Sequence, residues 1–214
     1  MKIGIITHYY KSRNYGGNLQ AYALCAYLKS KGYQAEQICY KPGCIFKSNY
    51  NTYDEFIKAL KMIYSAWIHR RDILVSNLLY KRKKSLYNFN KKIPHSKRVY
   101  TSANIGRSGN DYDAYIVGSD QVWHPNTICD AYVLNFVGQN KIKISYAASL
   151  AVETLLPKQI EILKNALPSF KRISVRENSA IDLLRRYIDD NIEWVVDPTL
   201  LLSEAEWNTF CKKR

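Results

Sequence analysis

The chain has 214 residues and 47% hydrophobic content, enough to bury a substantial core as one large domain or two small ones. No run of about 18 apolar residues occurs, which excludes a transmembrane helix of the ordinary kind. The formal charge of +14 is concentrated in one place: between Lys58 and Arg107 stand 13 Lys or Arg against a single acidic residue, Asp72. Basic character therefore belongs to that segment and not to the fold, and suits either a solvated helical face or an anionic partner such as lipid or saccharide. No nucleic-acid-reading motif accompanies it, so nucleic acid is not expected.

Lys2 to Thr7 reads as a first strand, apolar and β-branched, and too short before His8 for the apolar region of a secretion signal. His8 to Asn18 is a loop holding Asn14, Gly16, Gly17 and Asn18, and a helix follows to Gly32. Two glycines ahead of a helix leave backbone amides for an anion, or else only make a tight turn. A GxGxxG pattern is missing, which gives no support to a dinucleotide. Gln34 to Tyr40 is the second strand. Thr52 to Glu55 forms a capping box ahead of an apolar helical stripe from Phe56 to Ile68, and a second helix is expected from Asp72 to about Phe89. Residues 90–111 read as a polar connection, so that a basic helical insertion spans about 52–107.

Ala114 to Val117 is a short apolar run halted by Gly118, the pattern of a strand covered on both faces. Gly118, Ser119, Asp120 and Gln121 follow, then Trp123. Further strands are expected near Ile142, Ile173 and Trp194, with helices after Pro157 and Ser179 and a last helix opened by the capping box Ser203 to Glu206. Strands and helices alternate throughout. The fold class is therefore α/β, a Rossmann-like parallel sheet with flanking helices over residues 1–202, followed by a terminal helix at 203–214.

Parallel connectivity sends the C-terminal ends of the strands to one edge, the place where such sheets hold ligands. His8, the loop from Asn14 to Asn18, Gly118 to Gln121, Ser149, Arg176, Glu177 and Asp197 gather there. Arg176 can grip an anion in two places or pair with Glu177 or another carboxylate. His8, Asp120 and Glu177 are candidate proton carriers, each with a structural hydrogen bond as its alternative role. Asp197, before Pro198, is expected to fix a turn. No His, Cys and carboxylate cluster has metal-ligand spacing. Five cysteines without a CxxC pair are expected to be free thiols, which places the chain in the cytoplasm.

Tyr112 to Trp123, YDAYIVGSDQVW, resembles the YDAFIVGSDQVWNP signature of the polysaccharide pyruvyl transferase family. Asn14 to Leu24 is similar to its NYGAxLQAYAL, departing at Gly17-Asn18. Lys143 to Ser149 is similar to KISYAASFG, with Leu150 in place of the aromatic residue, and Ser174 to Glu177 and Val196 to Leu202 match SVRE and DPTLLL.

The resemblance implies transfer of the pyruvyl group of phosphoenolpyruvate to a saccharide, often lipid-linked, as a ketal in cell-surface polysaccharide synthesis, with no cofactor beyond that donor. It implies the N-terminal half of a B-type glycosyltransferase (GT-B-like) arrangement. The family's second domain is then expected to be missing here, little activity is expected from these residues alone, and an anionic membrane surface on the cytoplasmic side is an expected partner. A non-catalytic saccharide- or partner-binding module, or a nucleotide-sugar glycosyltransferase of the same architecture, is the alternative.

Overall fold

The structure, a computed structural model, describes residues 1–12, 14–42, 82, 84–188 and 191–210. Seven strands are seen: β1 (Lys2–Ile6), β2 (Gln34–Tyr40), β3 (His95–Tyr100), β4 (Ala114–Val117), β5 (Ile142–Ser145), β6 (Ile173–Val175) and β7 (Ile192–Trp194). Among the described residues, α1 (Tyr15–Ser30), α2 (Pro157–Ala166), α3 (Asn178–Arg185) and α4 (Glu204–Asn208) accompany them, besides a helical stretch at 84–90. The first five strands form one sheet in the order β3-β2-β1-β4-β5, and β6 pairs with β7; every pairing is parallel. Parallel bridges from Ile144 to Arg172 and from Ala148 to Val175 carry the ladder from β5 to β6.

The chain forms two compact units, Met1–Gly43 with Lys92–Arg214, and Cys44–Lys91. In the second, residues 84–90 are helical, in keeping with the helix expected up to Phe89. The capping box at 52–55 and the stripe from Phe56 to Ile68 lie outside the described residues, as does the first part of the basic segment, 58–81.

Strand alternation divides the core between the two faces of the sheet. Ile3, Ile5, Ala114 and Ile116 pack with Leu24 and Cys25 of α1, while Ile6, Ile38, Tyr115 and Val117 face the larger cluster that includes Trp123 and Tyr132. All four residues of β4 are buried, as a strand covered on both sides requires. Trp123 is fixed at both polar ends: its indole N–H donates to the Tyr132 carbonyl, and its own carbonyl accepts from the side chain of buried Gln159. At the far end, Tyr22 of α1 stacks against Trp207 and Phe210.

β3 corrects the sequence reading, which expected residues 90–111 to be a polar connection. His-Ser-Lys-Arg-Val-Tyr shows no apolar alternation because β3 is an edge strand paired only with β2. Lys97 and Arg98 are exposed, and only Ser96 and Tyr100 turn inward. Charged residues on an exposed edge discourage further strand pairing, so the property that hid the strand is one that edges favour. Between β4 and β5, Asp130 to Val133 form a 3-10 turn, followed by Leu134 in the left-handed region. Cys25, Cys39 and Cys129 are free thiols, and burial pushes the Cys25 thiol up to about 12.

Candidate functional site

β1 leads to β2 on one side of itself, while β3 leads to β4 on the other side. The connections thus diverge between the C-terminal ends of β1 and β4, which opens a crevice at the edge where α/β sheets bind ligands. Three pieces of chain close its floor. Thr7, just past β1, donates its hydroxyl to the Ser119 carbonyl at 2.6 Å. Gln20 of α1 donates to Thr7 Oγ1 at 3.1 Å and to the Gly17 carbonyl at 2.9 Å. Gly17 is the point of closest approach. A Cβ there would stand 2.9 Å from the His8 carbonyl oxygen and 3.1 Å from Asp120 Oδ2.

Asn14 caps α1, accepting from the Gly16 amide at 2.9 Å. Asn18 is fully buried, and its side-chain amide donates to the Asn14 carbonyl at 2.6 Å and to the Ser12 carbonyl at 3.2 Å. It braces the loop from beneath, whereas Gly16 is exposed. The positive end of α1 has no acidic residue of its own in the first turn, but the Asp120 carboxylate lies against it at Gly17.

The loop after β4 is tightly held. Gly118 has φ +106, and a Cβ on it would run into the Tyr146 carbonyl oxygen; the Gly118–Ser119 peptide is cis. Ser119 is fully buried, with its hydroxyl 3.0 Å from the Ala147 carbonyl and 3.3 Å from Asp197 Oδ2, so its one proton can serve either. Asp120 sits at φ +76. Its Oδ1 accepts from the Gln121 amide at 2.8 Å, and its carbonyl accepts from the Ser149 and Val122 amides. Gln121 is exposed. Ser149 is fully buried, and its hydroxyl has no partner among the described residues.

His8 is half-buried, with its ring edge-on to Tyr132 at 4.5 Å. Burial pulls its pKa below the ordinary value; the Asp120 charge opposes this, and nearby His124 adds to the lowering. His8 is thus neutral at pH 7 and able to accept a proton. We expect its ring protons, followed by NMR, to titrate with a midpoint below about 6.5. Because the folded value is the lower one, the unfolded chain takes the proton first on acidification. His8 therefore costs stability as the pH falls from about 6.5 through the folded pKa, and costs none above that window. A midpoint at or above 6.5 would contradict this environment.

On the other side of β4, Arg176 follows β6 directly. Its Nε donates to Glu177 Oε1 at 3.2 Å and its Nη1 to Asp197 Oδ2 at 3.3 Å; neither bond uses Nη2. Glu177 Oε2 is buried with no donor among the described residues. Asp197 does fix a turn, accepting from the Thr199 amide and hydroxyl at 3.0 and 2.8 Å through Oδ1. Its other oxygen holds Arg176 and faces Ser119, so one carboxylate joins the ends of β4, β6 and the segment after β7.

The structure thus brings His8, Gly17 and Asp120 together at the crevice, and Arg176, Glu177, Ser119 and Asp197 beside it. Asn18, Ser119 and Ser149 support the rim from inside. Sequence reasoning missed Thr7, Gln20 and His124. Gln20 carried one signal, its place three residues after Gly17, one helical turn on.

Among the described residues, no helix is long and apolar enough to cross a membrane. No curated protein and no solved structure matches the chain. A family model described as polysaccharide pyruvyl transferase matches residues 14–213, from the cap of α1 to beyond α4, and so takes in every rim residue except Thr7 and His8. With nearly its whole length under that one pattern, the chain belongs to the polysaccharide pyruvyl transferase family.

Proposed function

We propose that this chain takes part in moving the pyruvyl group of phosphoenolpyruvate onto two hydroxyls of a saccharide. The observation that carries the reading is the gathering, in a chain of this family, of a guanidinium and a neutral imidazole–carboxylate pair along one sheet edge. The family supplies the transferase class and the saccharide; the donor is our inference.

The chemistry divides between the two groups. One acceptor hydroxyl adds to the enol carbon, its proton going to a base, while the methylene carbon takes a proton to become methyl. The second hydroxyl then displaces phosphate from the same carbon, its proton leaving with the phosphate, which closes the ketal. His8 and Asp120, side by side at the crevice, are assigned to these proton transfers, with Asp120 stabilising the imidazolium that forms. Arg176 is assigned to the donor's carboxylate or phosphate through the Nη2 side of its fork. Glu177 and Asp197 leave the Arg176 cluster with a net negative charge, so further cations must help hold a donor with two anionic groups.

Phosphoenolpyruvate binding, followed by its ³¹P NMR shift against protein concentration, tests the assignment. Binding that weakens in Arg176→Ala is the expected result. No binding to the wild-type chain, or binding unchanged by the substitution, would overturn the donor reading.

A further inference from the structure

Trp194 ends β7 two positions after Ile192, and the two side chains leave the strand on the same side. Ile192 is 2% exposed and lies in the core packed by α3, yet Trp194 is 65% exposed. The difference follows from position along the strand. α3 begins only at Asn178, after the rim residues Arg176 and Glu177, so the end of β7 runs level with the rim and beyond the helix's cover.

The ring is nevertheless not loose. Its indole N–H donates to the Arg176 carbonyl at 3.0 Å, which satisfies the one polar atom of the side chain and fixes the plane. What remains is an oriented apolar face beside Arg176, the residue whose guanidinium pairs with Glu177 and Asp197. A pyranose ring matches that combination: a patch of C–H groups on one face, with hydroxyls around the circumference to meet carboxylates and a guanidinium.

We infer that Trp194 is a stacking platform for a pyranose ring of the acceptor saccharide, and this rests on the saccharide reading above. The indole positions the sugar through its apolar face, and the neighbouring charged groups meet its hydroxyls. A purely apolar ligand would gain nothing from the charges, and a small anion would gain nothing from the ring.

Saturation-transfer NMR with methyl β-galactoside, methyl β-glucoside and methyl α-mannoside tests this on the same samples used for phosphoenolpyruvate binding. With wild type, at least one glycoside should receive saturation through its ring C–H protons. Trp194→Ala should weaken that binding about tenfold or more, and Trp194→Phe should retain part of it. Because Trp194 is exposed, the urea midpoint of each variant should match wild type, which separates loss of contact from loss of fold. Saturation of none of the three glycosides by wild type, or an undiminished signal with Trp194→Ala, would overturn the platform. Glycoside contact without phosphoenolpyruvate binding would leave the platform standing and overturn the donor reading, and the opposite pattern would do the reverse.

Discussion

Arg176→Ala is expected to lower pyruvyl transfer by about 10²- to 10³-fold, the usual cost of removing one fixed donor aimed at developing or transferred negative charge. Arg176→Lys should recover only a part, since an ammonium cannot hold two carboxylates and a ligand in one plane. Asp197→Asn provides the informative comparison. Read from sequence, Asp197 only fixes a turn, and its loss would then cost stability without touching the donor. The structure gives it two oxygens with two tasks, Thr199 on one and Arg176 on the other. Asp197→Asn keeps an oxygen to cap Thr199 but removes the charge that holds Arg176, so it should weaken phosphoenolpyruvate binding with little loss of stability. Phosphate release and donor affinity measured on the three variants decide the matter. Wild-type donor affinity in Asp197→Asn would return that residue to the turn alone, and wild-type turnover in Arg176→Ala would remove the guanidinium from the donor.

The largest expected loss of stability is that of Gly118→Ala, about 3 kcal/mol or more. Two causes add. Alanine at φ +106 is strained whatever surrounds it, and its methyl group would meet the Tyr146 carbonyl oxygen, a backbone atom with no rotamer to turn aside. Relief would require β4 and the residues after β5 to part, pulling on the bonds between Asp120 and Ser149. Gly32→Ala separates the two causes, because Gly32 also has positive φ, +85, but nothing within 4 Å of an added Cβ. It should cost only about 1 kcal/mol. Urea unfolding should show a much lower midpoint for Gly118→Ala with an unchanged slope, and a small shift for Gly32→Ala. Equal shifts would mean that backbone strain alone governs both positions.

Much of this architecture can be read from the residues themselves. β4 announces itself because a strand buried on both faces is apolar along its whole length, and β1 does so from Ile3 onward; His8, Asp120 and Arg176 follow from where parallel strands end. β3 could not be read that way: an edge strand with lysine and arginine facing solvent has no apolar period, and its parallel pairing with β2 at Gln37, Cys39 and Tyr40 is what reveals it. The small polar residues at strand ends posed a different difficulty. Ser119, Ser149 and Asn18 have the composition of ligand contacts, yet each is fully buried: Ser119 and Asn18 donate to backbone carbonyls of neighbouring loops, while the Ser149 hydroxyl has no partner among the described residues. Whether such a residue faces in or out depends on tertiary partners. For the same reason Thr7 and Gln20, whose bond spans two elements, carried little local trace.

The position of β1 between β2 and β4 has a consequence for how the chain is made. Its residues are translated before those of both neighbours, and β2 follows closely, but Ile3 must wait for Ala114 and Ile6 for Val117. Until β4 has left the ribosome, one side of an apolar strand stands with its amides and carbonyls unpaired, open to whatever other strand it meets. The intervening stretch is the most basic of the sequence, so the nascent chain carries its strongest like-charge repulsion during the interval when an unpaired edge is most exposed to other chains.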